Sequence, residues 1–141
     1  MDRFISIARG EERAQLVLKN ANIINVFTNE IIQGDVAIEE GYIVAIGDYE
    51  GIKEIDLEGK YLAPGFIDGH VHIESSKVTP GQFARAIVPR GVTTIIADPH
   101  EIANVKGLEG ILYMLEESRG LPLDVHIMLP SCPNQGVQIL Y

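Results

Sequence analysis

The hydrophobic rhythm of this chain changes at Pro64-Gly65, and that change divides the architectures open to it. Over residues 15–62 the apolar residues come in short runs: Leu16-Val17-Leu18, Ile23-Ile24, Val36-Ala37-Ile38, Tyr42-Ile43-Val44-Ala45-Ile46 and Ile55-Asp56-Leu57. Glu40-Gly41, Gly47-Asp48 and Glu58-Gly59 punctuate them as turns. Val36 and Ile38 alternate with Ala37 and Glu39, the pattern of a half-buried antiparallel strand. A short helix or arm over residues 2–14, carrying Phe4, Ile5 and Ile7, precedes a small β-sandwich or meander. The expected first part is residues 1–64.

Beyond Gly65 the pattern becomes strand–helix–strand. Residues 66–73 read as a buried strand that opens on apolar Phe66-Ile67. Thr79-Pro80-Gly81-Gln82 has the form of a capping box, with Thr79 as N-cap and Pro80 at the first helical position. Phe83, Ala84, Ile87 and Val88 give the helix an apolar face, and Pro89 with Gly91 ends it. The β-branched run over residues 92–97 is typical of a buried parallel strand. A second helix carries Ile102, Val105, Leu108, Ile111, Leu112 and Leu115 at helical spacing, and residues 125–129 make a third strand. The fold class expected is therefore α/β with a small β-sandwich, the second part being βαβαβ over 65–132.

Parallel strands present their chemistry at their carboxyl ends. The first ends in Asp68-Gly69-His70-Val71-His72-Ile73-Glu74, where histidines at i and i+2 lie on one side of an extended backbone and can reach one cation. Imidazole suits zinc, iron and other transition metals, and Glu74 or Asp68 could ligate or orient. The second strand ends in Asp98-Pro99-His100-Glu101, the third in Pro130-Ser131-Cys132. A metal held at these ends would bring bound water close to neutral pKa for attack on an electrophilic carbon. Asp98 reads equally as a helix cap, and His100 as a locally bonded first-turn residue. Glu101 would suit the helix dipole. His126 reads as packing and Cys132 as a small buried hydrophobe.

Other chemistries are excluded by what the chain lacks. His72-Ile73-Glu74 matches half of the zinc nucleobase-deaminase signature, but its Pro-Cys-x-x-Cys half is missing from a chain with one cysteine. There is no glycine-rich phosphate loop and no Gly-x-Ser-x-Gly elbow. A formal net charge of −9 over 141 residues argues against nucleic acid or an anionic membrane as partner. The apolar runs are too short for a membrane span, the start is unlike a signal peptide, and one cysteine fits a cytoplasmic setting.

Pro64-Gly65-Phe66-Ile67-Asp68-Gly69-His70-Val71-His72 resembles the first-strand motif of the amidohydrolase superfamily. With Ile73-Glu74-Ser75-Ser76, Val88-Pro89-Arg90-Gly91, Ala97-Asp98-Pro99-His100-Glu101-Ile102-Ala103-Asn104 and Met128-Leu129-Pro130-Ser131-Cys132, the chain is similar to the bacterial and archaeal adenine deaminases within it. The resemblance implies an amidohydrolase-type (β/α)8 barrel and hydrolysis of a purine base, adenine, to hypoxanthine and ammonia. It implies a divalent metal, manganese or iron before zinc, with His70 and His72 as ligands and Glu74, Asp98 and His100 as catalytic candidates. A homo-oligomer is implied for full-length members. Such a barrel needs at least roughly 200 residues, so the chain is expected to hold its N-terminal part, truncated after about three strands. Residues 133–141 depart from the family pattern, which suggests a frameshift or early stop. The rivals are a dihydroorotase- or hydantoinase-like cyclic amidohydrolase, which needs His70 and His72 but not the Asp98 block, and a non-catalytic remnant or interaction module.

Overall fold

The computed structural model describes residues 2–129, so Ser131, Cys132 and the divergent tail lie outside the described residues. The chain divides into two compact units, Met1–Pro64 and Gly65–Tyr141. In the first, α1 (Asp2–Ala8) is followed by β1 (Ala14–Asn25), β2 (Glu30–Glu39), β3 (Tyr42–Gly47), β4 (Gly51–Asp56) and β5 (Tyr61–Leu62). These strands form one five-stranded sheet of order β3-β2-β1-β4, with β5 also on β1. Of the sandwich or meander expected, the described residues form a single mixed sheet in which β1, β2 and β3 follow one another as an antiparallel meander. The two runs at Leu16 and Ile23 are not separate strands but one, β1. β2 lies antiparallel to β1 and β3, while β4 and β5 run parallel to β1.

One strand spans both runs because of a bulge. Between Leu18 and Ala21 the β1 register gains a residue over β2, and Asn20 sits at φ 55°. Strand side chains alternate, so one extra residue reverses the parity. Even-numbered Leu18 and odd-numbered Ala21 and Ile23 thereby join one cluster, with Val36, Ile38 and Leu62. Val17 and Ala37 belong to another, with Ile7 of α1. β2 is thus buried on both sides around Val36 and Ala37 rather than half-buried as its alternation implied. Glu39, itself buried, accepts from Arg3 Nε at 2.8 Å and from the Gln15 N–H at 2.7 Å, tying α1 to the sheet. Glu40 and Gly41, at φ 50° and 81°, make the tight β2–β3 turn.

The second unit runs β6 (Phe66–Val71), a 3₁₀ turn (Glu74–Ser76), α2 (Pro80–Ile87), a 3₁₀ turn (Val88–Arg90), β7 (Val92–Ala97), α3 (His100–Lys106), α4 (Leu108–Glu117) and β8 (Asp124–Ile127). Among the described residues its sheet is parallel and open, in the order β6-β7-β8. The core gathers Ile73, Ala84, Ile95, Ala97, Met114 and Leu123. Complete burial of a side chain such as Ile73 or Ile95 is worth about 1.5–3 kcal/mol.

Four local expectations are corrected here. Phe66 and Ile67 are 61% and 67% exposed, because among the described residues β6 is an edge strand paired with β7 alone. In the central β7, Ile95 and Ala97 are buried but Thr93 is exposed, so the run is not uniformly buried. The second helix is two helices: Gly107, at φ 62° and ψ −143°, breaks it, and Val105, Leu108, Leu112 and Leu115 remain exposed. Thr79 is the N-cap of α2 and Pro80 its first residue, but no side chain caps the helix, so the capping box is not formed.

Candidate metal centre

The ends of β6 and β7 bring the histidines to the carboxylate. β6 carries an extra residue against β7 between Asp68 and Val71, and the Asp68 Oδ1 accepts from the His70 N–H at 3.1 Å inside that bulge. Asp68 therefore braces its own strand and stands outside the cluster. The ladder resumes with Val71 opposite Ala97, and the Asp98 N–H donates to the Val71 carbonyl at 2.9 Å. That register sets His72 beside Asp98.

The hydrogen bonds assign the tautomer of His72. Its Nδ1 lies 2.8 Å from the Asp98 carbonyl oxygen, which only accepts, so Nδ1 carries the hydrogen. A neutral imidazole then has its lone pair on Nε2, which is 3.1 Å from Nε2 of His70. The two rings meet edge to face with centroids 4.8 Å apart. Two imidazole nitrogens thus point at the same place, one of them oriented by a main-chain carbonyl in the way that metal-ligating histidines are held.

Asp98 completes the group. One ligand atom each from His70, His72 and Asp98 lies within 4.8 Å of the others. Donors around a tetrahedral cation at ~2.1 Å stand about 3.4 Å apart, so small side-chain rotations close the set. Asp98 Oδ2 accepts from His100 Nδ1 at 3.2 Å, while Oδ1 is buried without a hydrogen-bond partner among the described residues. A buried carboxylate oxygen left without a donor is costly and is chemically suited to a cation. Two imidazoles and a carboxylate fit manganese, iron or zinc, and leave coordination positions for water.

The remaining candidates sit around this group and not in it. His100 stacks edge to face on His72, centroids 4.6 Å apart, and is the first residue of α3, whose N-cap is Pro99. Asp98 is therefore not the cap of that helix. Glu74 Oε1 accepts from the Ile102 N–H at 3.3 Å, with Oε2 buried and unpartnered among the described residues. Glu101 Oε1 accepts from Ser75 Oγ at 2.8 Å. His126 is exposed on β8, which corrects its reading as packing. The Asp98 carbonyl was invisible to motif reasoning, since a main-chain acceptor leaves no trace in residue type; only the strand register reveals it.

Residues 61–136 match the amidohydrolase family. An adenine deaminase of Geobacillus kaustophilus and one of Clostridium acetobutylicum are each 62% identical over 128 residues, 91% of this chain. Adenine deaminase 2 of Carboxydothermus hydrogenoformans is 58% identical over 128 residues, again 91% of this chain. The chain spans 22% of the length of each of these relatives. No described helix is long and apolar enough to cross a membrane.

Proposed function

Because the chain belongs to the amidohydrolase family, we propose that it supplies the first-strand metal ligands of an adenine deaminase, an enzyme that exchanges the amino group of adenine for oxygen and releases ammonia. The observation that carries this reading is its 62% identity, over 91% of its length, to relatives named adenine deaminase. The geometry supports it. His70 and His72 offer Nε2 to one cation, and Asp98 adds a carboxylate oxygen beside them. Bound there, a divalent cation would supply Lewis-acid activation of water for addition to the purine carbon that bears the amino group.

The chain's own residues do the rest. The Asp98 carbonyl keeps the His72 proton on Nδ1, so that Nε2 stays free to ligate. His100 holds the Asp98 carboxylate through Oδ2. The mixed nitrogen and oxygen donors suit manganese or iron, with zinc the alternative. Among the described residues the donors sit at the ends of an open three-stranded sheet with His70 exposed, so water is not excluded from the centre, and the 141-residue polypeptide by itself is expected to release no ammonia from adenine.

The test is a chimera. The aligned part of this chain would replace the matching 128 residues of the Geobacillus kaustophilus relative, and ammonia release from adenine would be measured with added manganese. Turnover that disappears in His70→Ala and His72→Ala is the expected result. A folded chimera without turnover overturns the reading. One that hydrolyses dihydroorotate or hydantoin instead favours the cyclic-amide alternative.

A further inference from the structure

Two consecutive residues after the histidine pair are bonded to two consecutive residues at the start of α3. Glu74 Oε1 accepts from the Ile102 N–H at 3.3 Å, and Ser75 Oγ donates to Glu101 Oε1 at 2.8 Å. The first turn of a helix has N–H groups with no intrahelical partner, and the N-cap of α3, Pro99, provides no side-chain acceptor. Glu74 provides one from a different element, with its negative charge at the favourable end of the helix.

The placement of this clasp gives it a consequence for the metal centre. Glu74 follows His72 by two residues, and Ile102 follows Asp98 by four. The clasp therefore joins the chain leaving β6 to the chain leaving β7 just beyond the two pieces of the centre. We infer that Glu74 is a positioning residue, neither metal ligand nor base: it fixes the separation of the His70–His72 pair from Asp98 and His100. Its Oε1 is engaged by the main chain, and its Oε2, buried without a partner among the described residues as Asp98 Oδ1 is, lies outside the group of converging ligand atoms. The inference rests on the proposal that this group holds a cation.

Cobalt(II) titration of the full 141-residue chain, read by visible absorption, separates the roles. Glu74→Gln keeps a side-chain oxygen for the Ile102 N–H, and Glu74→Ala removes it. The expected result is affinity and band positions within about threefold of wild type for Gln, and affinity lower by about 10-fold or more with shifted bands for Ala. Were Glu74 a ligand, the Gln variant would lose affinity and shift its bands as Ala does, which overturns the inference. Cobalt uptake indifferent to Glu74→Ala overturns it too. If the Ala variant fails to fold by circular dichroism, exchange protection of the Ile102 amide in the Gln variant decides, with retention expected and loss refuting. A folded wild type that takes up no cobalt sinks the metal-centre reading itself and this inference with it, a result distinct from the others.

Discussion

Asp35→Ala is expected to destabilise the first unit by about 3.5–5 kcal/mol. Asp35 is 6% exposed and accepts from three donors: Lys19 Nζ at 2.5 Å, the Asn20 N–H at 3.0 Å and the Tyr49 N–H at 3.4 Å. Asn20 lies in the β1 bulge, where the ladder offers its N–H no partner across the strand, so Asp35 stands in for the missing carbonyl. Lys19 is not stranded by the change, since it keeps the Tyr49 carbonyl at 2.9 Å. One charged bond at ~1.5–3 kcal/mol and two amides left short of an acceptor at ~1 kcal/mol each give the stated range. A unit of 64 residues has a total stability of roughly 3–10 kcal/mol, so the variant should be marginal. Asp35→Asn, which retains one oxygen, should cost about 2 kcal/mol.

Native-state hydrogen exchange at the Val17 and Ala37 amides reads this unit directly. Burial pushes the Asp35 carboxyl up, but the Lys19 ammonium and the Asn20 and Tyr49 N–H groups outweigh it and hold the folded value below 3.8. A lowered folded value means that the stabilisation is present above the unfolded value and lost as pH falls through the folded one. Wild-type protection, corrected for intrinsic exchange, should hold from pH 7 to 5 and decline below about pH 4. Glu39, held low by Arg3, and Asp56, held low by Asn20, decline in the same direction. The Asp35 share is therefore the difference between wild type and Asp35→Asn. A loss under about 1 kcal/mol in Asp35→Ala, or an unchanged acid slope in Asp35→Asn, would refute the reasoning.

In the second unit, metal uptake measured by calorimetry should vanish in a His70→Ala/His72→Ala double variant, and in wild type should be far weaker than at a four-ligand structural zinc site. Gly110→Ala should cost about 1–3 kcal/mol in a thermal melt, because its Cβ would lie 2.9 Å from both the Ile102 carbonyl and Cγ1 and force α3 and α4 apart. The 141-residue chain should self-associate with rising concentration in size-exclusion chromatography with light scattering, since among the described residues β8 pairs with β7 alone and Phe66, Ile67, Leu108 and Leu112 are exposed; a monodisperse monomer would contradict it.

Periodicity made the strand–helix–strand order readable, because Phe83, Ala84, Ile87 and Val88 can share a buried side only on a helix and the run at residues 92–97 pairs as a strand. It misjudged burial wherever a neighbour decides it. Phe66 and Ile67 look like core residues by type but sit on an edge. The Leu18 and Ile23 runs looked like two strands because the bulge at Asn20 reverses alternation without a glycine or proline to announce it. Gly107 is visible in the sequence, yet the apolar spacing from Ile102 to Leu115 passes through it unbroken, so only its backbone angles reveal the break. At the centre, His-x-His spacing implied convergence of two imidazoles, and their Nε2 atoms do approach to 3.1 Å. The separation of Asp98 from Glu74 and Asp68 was not readable, because it depends on which carboxylates the backbone has already claimed.

The bond from His72 to the Asp98 carbonyl gives this centre an unusual tolerance to substitution. The acceptor is present whatever amino acid occupies position 98, so the orientation of His72 is inherited from the pairing of β6 with β7 and not from side-chain identity. A lineage could trade the Asp98 carboxylate for another group, altering the charge and chemistry beside the cation, without disordering the imidazole next to it. Its chemistry can therefore drift while its scaffold is held, which separates the evolution of reactivity from the evolution of geometry.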